Sequence, residues 1–191
     1  MSRPAVFLDR DGTLIEERGF IDRLDMVTMF PWTGDALRLI RRAGYAAVVV
    51  TNQSAIARGM IDEPFLENVH RAIDERITAA GGAIDRYLYC PHLPNATLEK
   101  YRQACRCRKP GPGLIEQACR DLDLDPARSI TIGDRWRDIG AGVAAGTRTV
   151  LVRSGHGAHE ADAPPDGVRA DAILNNLMEA VGWILRSSSR S

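Results

Sequence analysis

The sequence has little lysine, few aromatic residues and no net charge. Lys100 and Lys109 are the only lysines among its 25 basic residues, 25 acidic residues balance that charge, and aromatic residues make up 6% of the chain. Proteins that bind nucleic acid without sequence preference rely on positive charge, and those that bind single strands also stack bases on aromatic rings. We therefore expect no nucleic-acid partner, and any anion must be bound locally.

Long hydrophobic runs are also missing. The apolar stretch Ala5–Leu8 near the N-terminus is far too short for a signal peptide or a membrane span. We therefore expect a cytosolic, cytoplasmic protein that does not bind membranes. The 191 residues, 45% of them hydrophobic and 26% charged, are typical of a folded protein. This length predicts a single domain over residues 1–186 and a frayed tail at residues 187–191.

Cysteine is scarce, but three of the four cysteines lie close to one another and to a histidine. Cys90 and His92 are followed, after twelve residues, by Cys105 and Cys107. In a reducing compartment such cysteines are poor candidates for disulfides, and four soft ligands would complete a closed, tetrahedral zinc shell. Ordinary buried cysteines are the alternative, because ligands two residues apart are less common than ligands three apart. Cys119 has no partner at such a spacing and is predicted to be a small core residue.

Short apolar runs alternate with longer amphipathic stretches along the chain. The predicted strands are Ala5–Leu8, Ala46–Val50, Ile84–Tyr89, Ser129–Ile132 and Thr149–Val152. The predicted helices are Asp35–Ala43, Glu63–Ala80, 112–121, 136–145 and a last one near 175–185. This alternation predicts a doubly wound α/β fold, in which helices cover both faces of a parallel sheet. The segment 155–170, rich in alanine, proline and glycine, is predicted to be a surface connection.

Acidic residues follow two of the predicted strands, at the edge of a parallel sheet where ligands bind. Asp9 and Asp11 follow the first strand, and Asp134 follows the fourth. Two carboxylates spaced by two lie on the same side of an extended chain, and their repulsion tends to raise one pKa unless a cation neutralises them. Asp134 adds a third carboxylate, which indicates an oxygen-rich Mg²⁺ site. The alternative interpretation is a simple turn at residues 9–12 and a helix cap at Asp134.

Four short motifs occur in an order that resembles the haloacid dehalogenase superfamily of phosphatases. They are Phe7–Thr13, Val50–Ser54, Lys109-Pro110 and Gly133–Asp138. Within that superfamily, three segments resemble the heptose bisphosphate phosphatases. They are Cys90–His92, Cys105–Pro110 and Thr51–Gly59. This resemblance implies a capless, Rossmann-like domain with a zinc loop at about 90–107, which removes the 7-phosphate from a heptose 1,7-bisphosphate during nucleotide-activated heptose biosynthesis.

The resemblance also implies a role for each motif residue. Asp9 would attack phosphorus to form an aspartyl-phosphate, and Asp11 would protonate the leaving sugar oxygen and then activate water. Thr51 and Lys109 would contact the transferring phosphoryl oxygens. These roles suit phosphoryl transfer, which mainly requires positioning and charge neutralisation.

Two metals are implied by the same resemblance. Mg²⁺ would be held by Asp9, the backbone carbonyl of Asp11 and Asp134, and Asp138 would orient the site from one helical turn further on. An exposed helix carboxylate is the alternative interpretation of Asp138. Structural Zn²⁺ would be held by Cys90, His92, Cys105 and Cys107. Because two basic residues follow the last of these ligands, that metal would fix the loop that carries two cations to the site.

The gaps between the motifs leave no room for a cap domain, so loops would bind the substrate. The resemblance assigns substrate binding to Glu17, Arg18, Gly19, Phe20, Thr51, Asn52, Gln53, Ser54, Arg58, Arg108, Lys109 and Arg135. Of these residues, Arg58, Arg108 and Arg135 can form bidentate contacts with phosphate or sugar hydroxyls. For Arg58, a surface arginine at a helix start is the alternative. The sequence departs from the family pattern at Ala55, where glycine is more usual, and at Arg135, where lysine is common.

Histidinol-phosphate phosphatases are the closest alternative, because they share the fold, the zinc loop and the catalytic residues. Their substrate carries an amine, and this sequence offers few acidic residues near the site, Glu17 being the main one. A non-catalytic, zinc-stabilised binding module is the alternative from another class, but it has no use for a nucleophile beside a general acid. We expect a monomeric enzyme whose partner is a small phosphorylated sugar.

Overall fold

The computed structural model describes residues 2–188, which form a parallel sheet of six strands. The strands are β1 Ala5–Leu8, β2 Ala46–Asn52, β3 Arg86–Cys90, β4 Ile130–Gly133, β5 Arg148–Val152 and β6 Ala172–Leu174. Their order is β3-β2-β1-β4-β5-β6, and every neighbouring pair is parallel. The winding of the chain reverses at β1, so the carboxyl ends of β1, β2 and β4 border the crevice where such folds bind ligands.

Helices cover both faces of this sheet. They are α1 Thr33–Arg42, α2 Ser54–Ala57, α3 Glu63–Ala79, α4 Gly113–Leu122, α5 Trp136–Ala144, α6 Gly157–Ala161 and α7 Leu177–Ser188. Short 3₁₀ helices lie at Leu24–Met26, Glu99–Tyr101 and Pro126–Arg128. Helices α1, α3 and α7 pack against one face, whereas α4 and α5 contribute to the other. Among the helices of residues 2–188, none combines the length and the apolar character that crossing a bilayer requires.

Alternate residues of the central strand supply the two cores. Val6 and Leu8 face the core of α1, α3 and α7, while Ala5 and Phe7 face the opposite core, and all four are fully buried. A strand that is buried on both faces forms a continuous apolar run in the sequence, which is why the prediction for β1 matches its observed ends. This arrangement confirms the doubly wound α/β class.

The last quarter of the chain differs from the prediction. The segment 155–170, predicted to be a surface connection, contains α6, and β6 follows it. Strand β6 has three partly exposed residues at the sheet edge, so it leaves little periodic signal in the sequence. Helix α7 continues through Ser188, two residues into the predicted tail, and residues 189–191 lie outside the described part of the chain.

The connection between β3 and α4 packs onto the main domain rather than forming a separate one. In this connection, Ala96 and Tyr101 contact buried apolar residues of α2 and α3. The Tyr101 hydroxyl also donates a hydrogen bond of 2.5 Å to the Glu63 carboxylate at the start of α3. Across residues 2–188, no inserted domain covers the strand ends, which agrees with the capless prediction.

Candidate active site

A cleft of about 320 Å³ opens at the carboxyl ends of β1, β2 and β4. Its walls are Asp9, Asp11, Glu17, Gly19, Phe20, Thr51, Asn52, Gln53, Ser54, Ala55, Arg58, Arg108, Arg135, Arg137 and His156. Most of the predicted site residues therefore lie together. Arg18 does not line the cleft, because it is exposed and its guanidinium pairs with Glu16 at 2.5 Å. Lys109 is buried beside Asp9, and the sequence-based prediction lacks Arg137 and His156.

Asp9 lies on the floor of the cleft, where β1 ends, and is 4% exposed. Its Oδ1 accepts a hydrogen bond of 2.8 Å from the Arg10 backbone N–H and lies 2.9 Å from Lys109 Nζ. Burial alone would raise the pKa of Asp9, but Lys109, with smaller contributions from Arg137 and the Arg10 amide, holds that pKa below its usual range. Asp9 is therefore an anion at neutral pH, as a nucleophile toward phosphorus must be.

Lys109 reaches the cleft floor from the connection before α4. Its Nζ lies 2.9 Å from Asp9 and 2.7 Å from Asp138, and it donates to the Val50 carbonyl at 2.7 Å. Burial would lower the pKa of Lys109, but the two carboxylates raise it above its usual value. The Asn52 side chain donates to the Lys109 carbonyl at 3.1 Å and accepts from its N–H at 3.0 Å. The amide of Asn52, predicted to bind substrate, thus holds the lysine loop.

Asp11 is held beside the nucleophile by two side chains. The buried Arg10 donates to the Asp11 carboxylate from Nη2 at 2.9 Å and from Nε at 3.2 Å, and Gln53 Nε2 donates to it at 2.9 Å. Gln53 also accepts from Arg10 at 3.1 Å and donates to Thr51 Oγ1 at 3.0 Å. The amide of Gln53, to which the family resemblance assigns substrate binding, is therefore engaged within the protein and orients Asp11 and Thr51.

Three buried carboxylates meet at the ends of β1 and β4. Oxygens of Asp9, Asp134 and Asp138 lie within 4.8 Å of one another. Asp134 Oδ2 accepts a hydrogen bond of 2.8 Å from the His156 backbone N–H, whereas Oδ1 is buried without a hydrogen-bond partner in the described part of the chain. Burial and the charges of Asp9 and Asp138 raise the pKa of Asp134 to about 8. An all-oxygen donor set with excess negative charge and an unpaired oxygen fits Mg²⁺.

Asp138 closes this cluster from the first turn of α5. It is 1% exposed, its Oδ1 lies 2.7 Å from Lys109 Nζ, and its Oδ2 accepts from the Arg135 N–H at 3.0 Å. The alternative of an exposed helix carboxylate is therefore wrong. The alternative that Asp134 caps α5 is wrong too, because the N-cap residue is Arg135.

Two glycines allow the backbone to approach the Asp134 carboxylate. Gly12 and Gly155 have φ angles of 78° and 59°, and a Cβ at either position would clash with Asp134 Oδ2. Ser154 Oγ donates to the Gly12 carbonyl at 2.7 Å, which joins the loop after β5 to the loop after β1. The start of the predicted surface connection thus belongs to the site. Closely spaced glycines directly after an apolar run are the sequence signal that could have indicated this.

The cysteine and histidine side chains in the connection after β3 also come together. The three sulfur atoms of Cys90, Cys105 and Cys107 lie 3.0 to 3.5 Å apart, and His92 Nδ1 is 3.4 Å from Cys107 Sγ. All three are free thiols, so the four donors could hold one metal ion. The soft donor set fits zinc. Cys119 packs against the core of α4, as predicted for a small core residue.

The loops on one wall carry two of the cleft arginines. Arg58 is exposed on the rim, and its guanidinium carbon lies 5.4 Å from the centroid of the Phe20 ring. Arg108 Nη1 donates to the His92 carbonyl at 3.1 Å, which connects the cleft to the cysteine cluster. Arg58 lines the cleft and is the C-cap residue of α2, so it does not lie at a helix start.

The opposite wall contains the two residues that the sequence interpretation misses. The Nε atoms of Arg135 and of Arg137, in the first turn of α5, are both buried without a hydrogen-bond partner in the described residues, but Arg135 also lies 3.7 Å from Glu160. His156 Nε2 lies 3.5 Å from Glu17 across the cleft. A basic side chain in the first turn of a helix opposes the helix dipole, and this is the signal that could have pointed to Arg137.

Comparison with known proteins agrees with this geometry. The Hydrolase_like family model, described as HAD-hyrolase-like, matches residues 106–180. A D-glycero-beta-D-manno-heptose-1,7-bisphosphate 7-phosphatase of Haemophilus ducreyi is 39% identical over 186 residues, which cover 96% of this chain and 100% of that protein. A protein of the same name from Escherichia coli (strain K12) is 40% identical over 179 residues, which cover 93% of this chain and 92% of that protein.

Solved structures show the same relationship. The D,D-heptose 1,7-bisphosphate phosphatase of B. bronchiseptica, complexed with magnesium and phosphate, has a TM-score of 0.84, 29% identity, and coverage of 96% of this chain and 99% of its own. The phosphatase of that name from Burkholderia thailandensis has a TM-score of 0.71, 27% identity and the same two coverages. The chain therefore belongs to the family of HAD-like phosphatases named D-glycero-beta-D-manno-heptose-1,7-bisphosphate 7-phosphatase.

Proposed function

We propose that the protein hydrolyses the 7-phosphate of D-glycero-β-D-manno-heptose 1,7-bisphosphate through an aspartyl-phosphate formed on Asp9. The observation that carries this proposal is the cleft floor, where the anionic Asp9 lies beside Asp11 and beneath a wall of arginines. Relatives named for this activity match nearly the whole chain, which supports the same phosphoric monoester as substrate. A product of this kind suits a route to nucleotide-activated heptose.

Two carboxylates account for both half-reactions. An oxygen of Asp9 attacks phosphorus while the bond from phosphorus to the sugar oxygen breaks, and Asp11 gives its proton to that oxygen. The sugar leaves as an alcohol, and Asp11 is left as a carboxylate. Asp11 then takes a proton from water, the water oxygen attacks the same phosphorus, and inorganic phosphate leaves Asp9. Both residues return to their starting protonation states.

The surrounding side chains orient the reacting groups. Thr51 Oγ1 accepts a hydrogen bond from Gln53, so its own hydroxyl hydrogen is available for a phosphoryl oxygen. Asp9, Asp134 and the Asp11 backbone carbonyl are the proposed Mg²⁺ ligands. When bound, this ion supplies charge neutralisation at the phosphoryl group. This assignment is supported by Asp134 Oδ1, which is buried and has no hydrogen-bond partner in the described residues.

Zinc is the proposed occupant of the cluster formed by Cys90, His92, Cys105 and Cys107. Four protein ligands leave no open position, so the role is structural. Because Arg108 donates to the His92 carbonyl, a metal that orders this loop also positions a cation of the cleft. Thiolate ligands require reduced cysteines, which supports a cytoplasmic location. That the protein is a monomer stays a prediction.

The walls of the cleft are the proposed binding site for the rest of the substrate. Arg58, Arg108 and Arg135 project from three different loops and supply more positive charge than one phosphoryl group needs. We assign them to the remote 1-phosphate. The sugar would lie between Ser54 and the loop Glu17–Phe20, both of which line the cleft.

A panel of phosphate esters tests this function. Phosphate release with Mg²⁺ is measured for both anomers of the heptose 1,7-bisphosphate, for the heptose 7-monophosphate and for histidinol phosphate, and ³¹P NMR identifies the position that is lost. We expect the highest kcat/KM for a heptose bisphosphate and cleavage at position 7. The same panel with Asp9→Asn reports background hydrolysis. Faster turnover of histidinol phosphate would contradict the proposal, and the cleft gives it little support because Glu17 already faces His156.

A further inference from the structure

The lysine on the cleft floor is already surrounded by acceptors of the protein. Its Nζ donates a hydrogen bond of 2.7 Å to the Val50 carbonyl and forms ion pairs with Asp9 at 2.9 Å and with Asp138 at 2.7 Å. An ammonium group donates three hydrogen bonds at most. A phosphoryl group arriving at Asp9 carries two negative charges near neutral pH, so a cationic donor besides Lys109 and the Thr51 hydroxyl would stabilise it.

The walls offer one arginine that is not engaged elsewhere. Three of the four cleft arginines have the partners described above: an aromatic ring, a backbone carbonyl and a carboxylate. Arg137 has no hydrogen bond, ion pair or ring contact within residues 2–188, and its Nε is buried without a partner. Leaving a buried guanidinium N–H unpaired is unfavourable, which indicates that the side chain is placed for a ligand.

The position of Arg137 decides which part of the ligand it meets. Arg137 lies on α5 between Asp134 and Asp138, two of the three carboxylates that surround the reacting end of the cleft, and it lines the same cavity as Asp9. The arginines on the opposite wall, in contrast, lie on the substrate loops, and Arg58 is on the rim.

We propose that Arg137 binds the phosphoryl group that Asp9 attacks. Its guanidinium donates to the non-bridging oxygens in the bound ester and again in the aspartyl-phosphate, where a planar fork matches two oxygens of one phosphoryl group. Arg137 is thus a catalytic residue beside Lys109, separate from the arginines assigned to the remote phosphate. This inference rests on the proposed function, because it distinguishes the two phosphates of one substrate.

Orthovanadate is the probe for the reacting end alone, since it has no second phosphate. Its affinity for the Mg²⁺-loaded, zinc-containing protein is measured by calorimetry in wild type, Arg137→Gln, Arg137→Lys and Arg41→Gln. Arg41→Gln is the matched control, because Arg41 is exposed near the end of α1, before β2 begins and away from the cleft. Thermal melts confirm that each variant is folded.

We expect Arg137→Gln to weaken vanadate binding about tenfold or more, and to lower kcat/KM for the heptose bisphosphate and the 7-monophosphate by a similar factor of about 10 to 100. Arg137→Lys should recover part of both losses, and Arg41→Gln should match wild type. Unchanged vanadate affinity in folded Arg137→Gln would overturn the inference. So would a loss confined to the bisphosphate, because it would place Arg137 at the remote phosphate. If wild type cleaves neither heptose ester, the proposed substrate is wrong, and the vanadate titration still decides the role of Arg137.

Discussion

The two clusters of residues that could hold a metal ion are built in opposite ways. The carboxylate cluster combines Asp9 from the loop after β1 with Asp134 and Asp138 from the far half of the chain, and all three are buried. The cysteine and histidine cluster comes from one connection, 90–107, and three of its four ligands are only partly buried. The sheet holds the first cluster in place, whereas the second lies where the connection after β3 packs onto the domain. Its cysteines border the core of α4, and the rest of the connection shares a small apolar core with α2 and α3.

Because of this difference, we expect the carboxylate cluster to affect the reaction and the cysteine and histidine cluster to affect stability. The strands beside the carboxylates pack between two cores of fully buried residues, so the fold does not depend on the acidic side chains. A loop that a metal holds together gains its folding free energy from metal binding. Damage to the first cluster should therefore stop the reaction and spare stability, and damage to the second should act on stability first.

The largest effect is expected for Asp9→Asn. A neutral amide cannot attack phosphorus, so we expect kcat to fall by roughly 10⁴-fold or more, as for other removed nucleophiles. The fold should persist, because the amide also relieves the repulsion among the neighbouring carboxylates. Steady-state phosphate release and thermal melts of the same preparation check both statements. A variant with near-normal kcat would remove Asp9 from the nucleophile role.

The opposite order of effects is expected for Cys107→Ser. We expect zinc content to fall from about one equivalent per chain, with several kcal/mol of local stability lost and activity reduced indirectly. Elemental analysis, melts and assays on unchelated protein measure the three. Cys119→Ser is the matched control, since Cys119 packs against the same apolar core but is not one of the four clustered donors, and this variant should keep its zinc. Active wild-type protein with less than about a tenth of an equivalent of zinc would refute the assignment.

Both clusters can be predicted from the sequence, but for different reasons. Strand β1 is recognisable because both of its faces are buried, and that places Asp9 and Asp11 at the sheet edge without further information. The cysteine cluster is recognisable because its ligands are local in sequence. The order of the strands and the short strand β6 cannot be recognised in the sequence, because both depend on pairing between segments that lie far apart in the chain.

Side-chain direction is what the sequence leaves open within the site. Asn52 ends β2 and Gln53 follows it, yet the Asn52 amide binds the backbone of Lys109 and the Gln53 amide binds Asp11, which no spacing rule foretells. Arg137 and His156 reach the cleft only because α5 and the turn after β5 are packed beside it. Such contacts are decided by tertiary packing.

A smaller effect should appear where the two regions meet, at Arg108. Its hydrogen bond to the His92 carbonyl joins the connection 90–107 to the cleft, and its charge is proposed to serve the remote phosphate. We expect wild type to prefer the heptose bisphosphate over the 7-monophosphate by about tenfold or more in kcat/KM, because each charge-assisted contact contributes roughly 1.5 to 3 kcal/mol. Arg108→Ala should shrink that ratio more than it slows the monoester. An unchanged ratio would show that Arg108 serves the reacting group or the loop instead.

The smallest effect is expected at His70. It tests whether the loss of stability at acidic pH comes from the core beside β3 or from the cysteine and histidine cluster. His70, on α3, stacks on Tyr87 of β3 with ring centroids 4.6 Å apart, and β3 ends at Cys90. Burial, with a contribution from the Arg10 charge, lowers the pKa of His70 to about 3. In the unfolded chain this pKa returns to about 6.5. Below that pH, His70 therefore binds a proton in the unfolded state but not in the native state.

The contribution of His70 to stability is therefore complete above about pH 6.5 and is lost as the pH falls, by about 1 kcal/mol between pH 7 and 5.5. That loss corresponds to roughly 2 to 4 °C in Tm for a chain of this size. His70→Phe keeps a stacked ring, and it loses no hydrogen bond at Nε2, which is buried without a partner in the described residues. We expect its Tm to fall less than that of wild type over this range in zinc-loaded protein. Equal falls in both proteins would assign the acid sensitivity to the cysteine and histidine cluster, whose ligands must stay deprotonated to hold a metal.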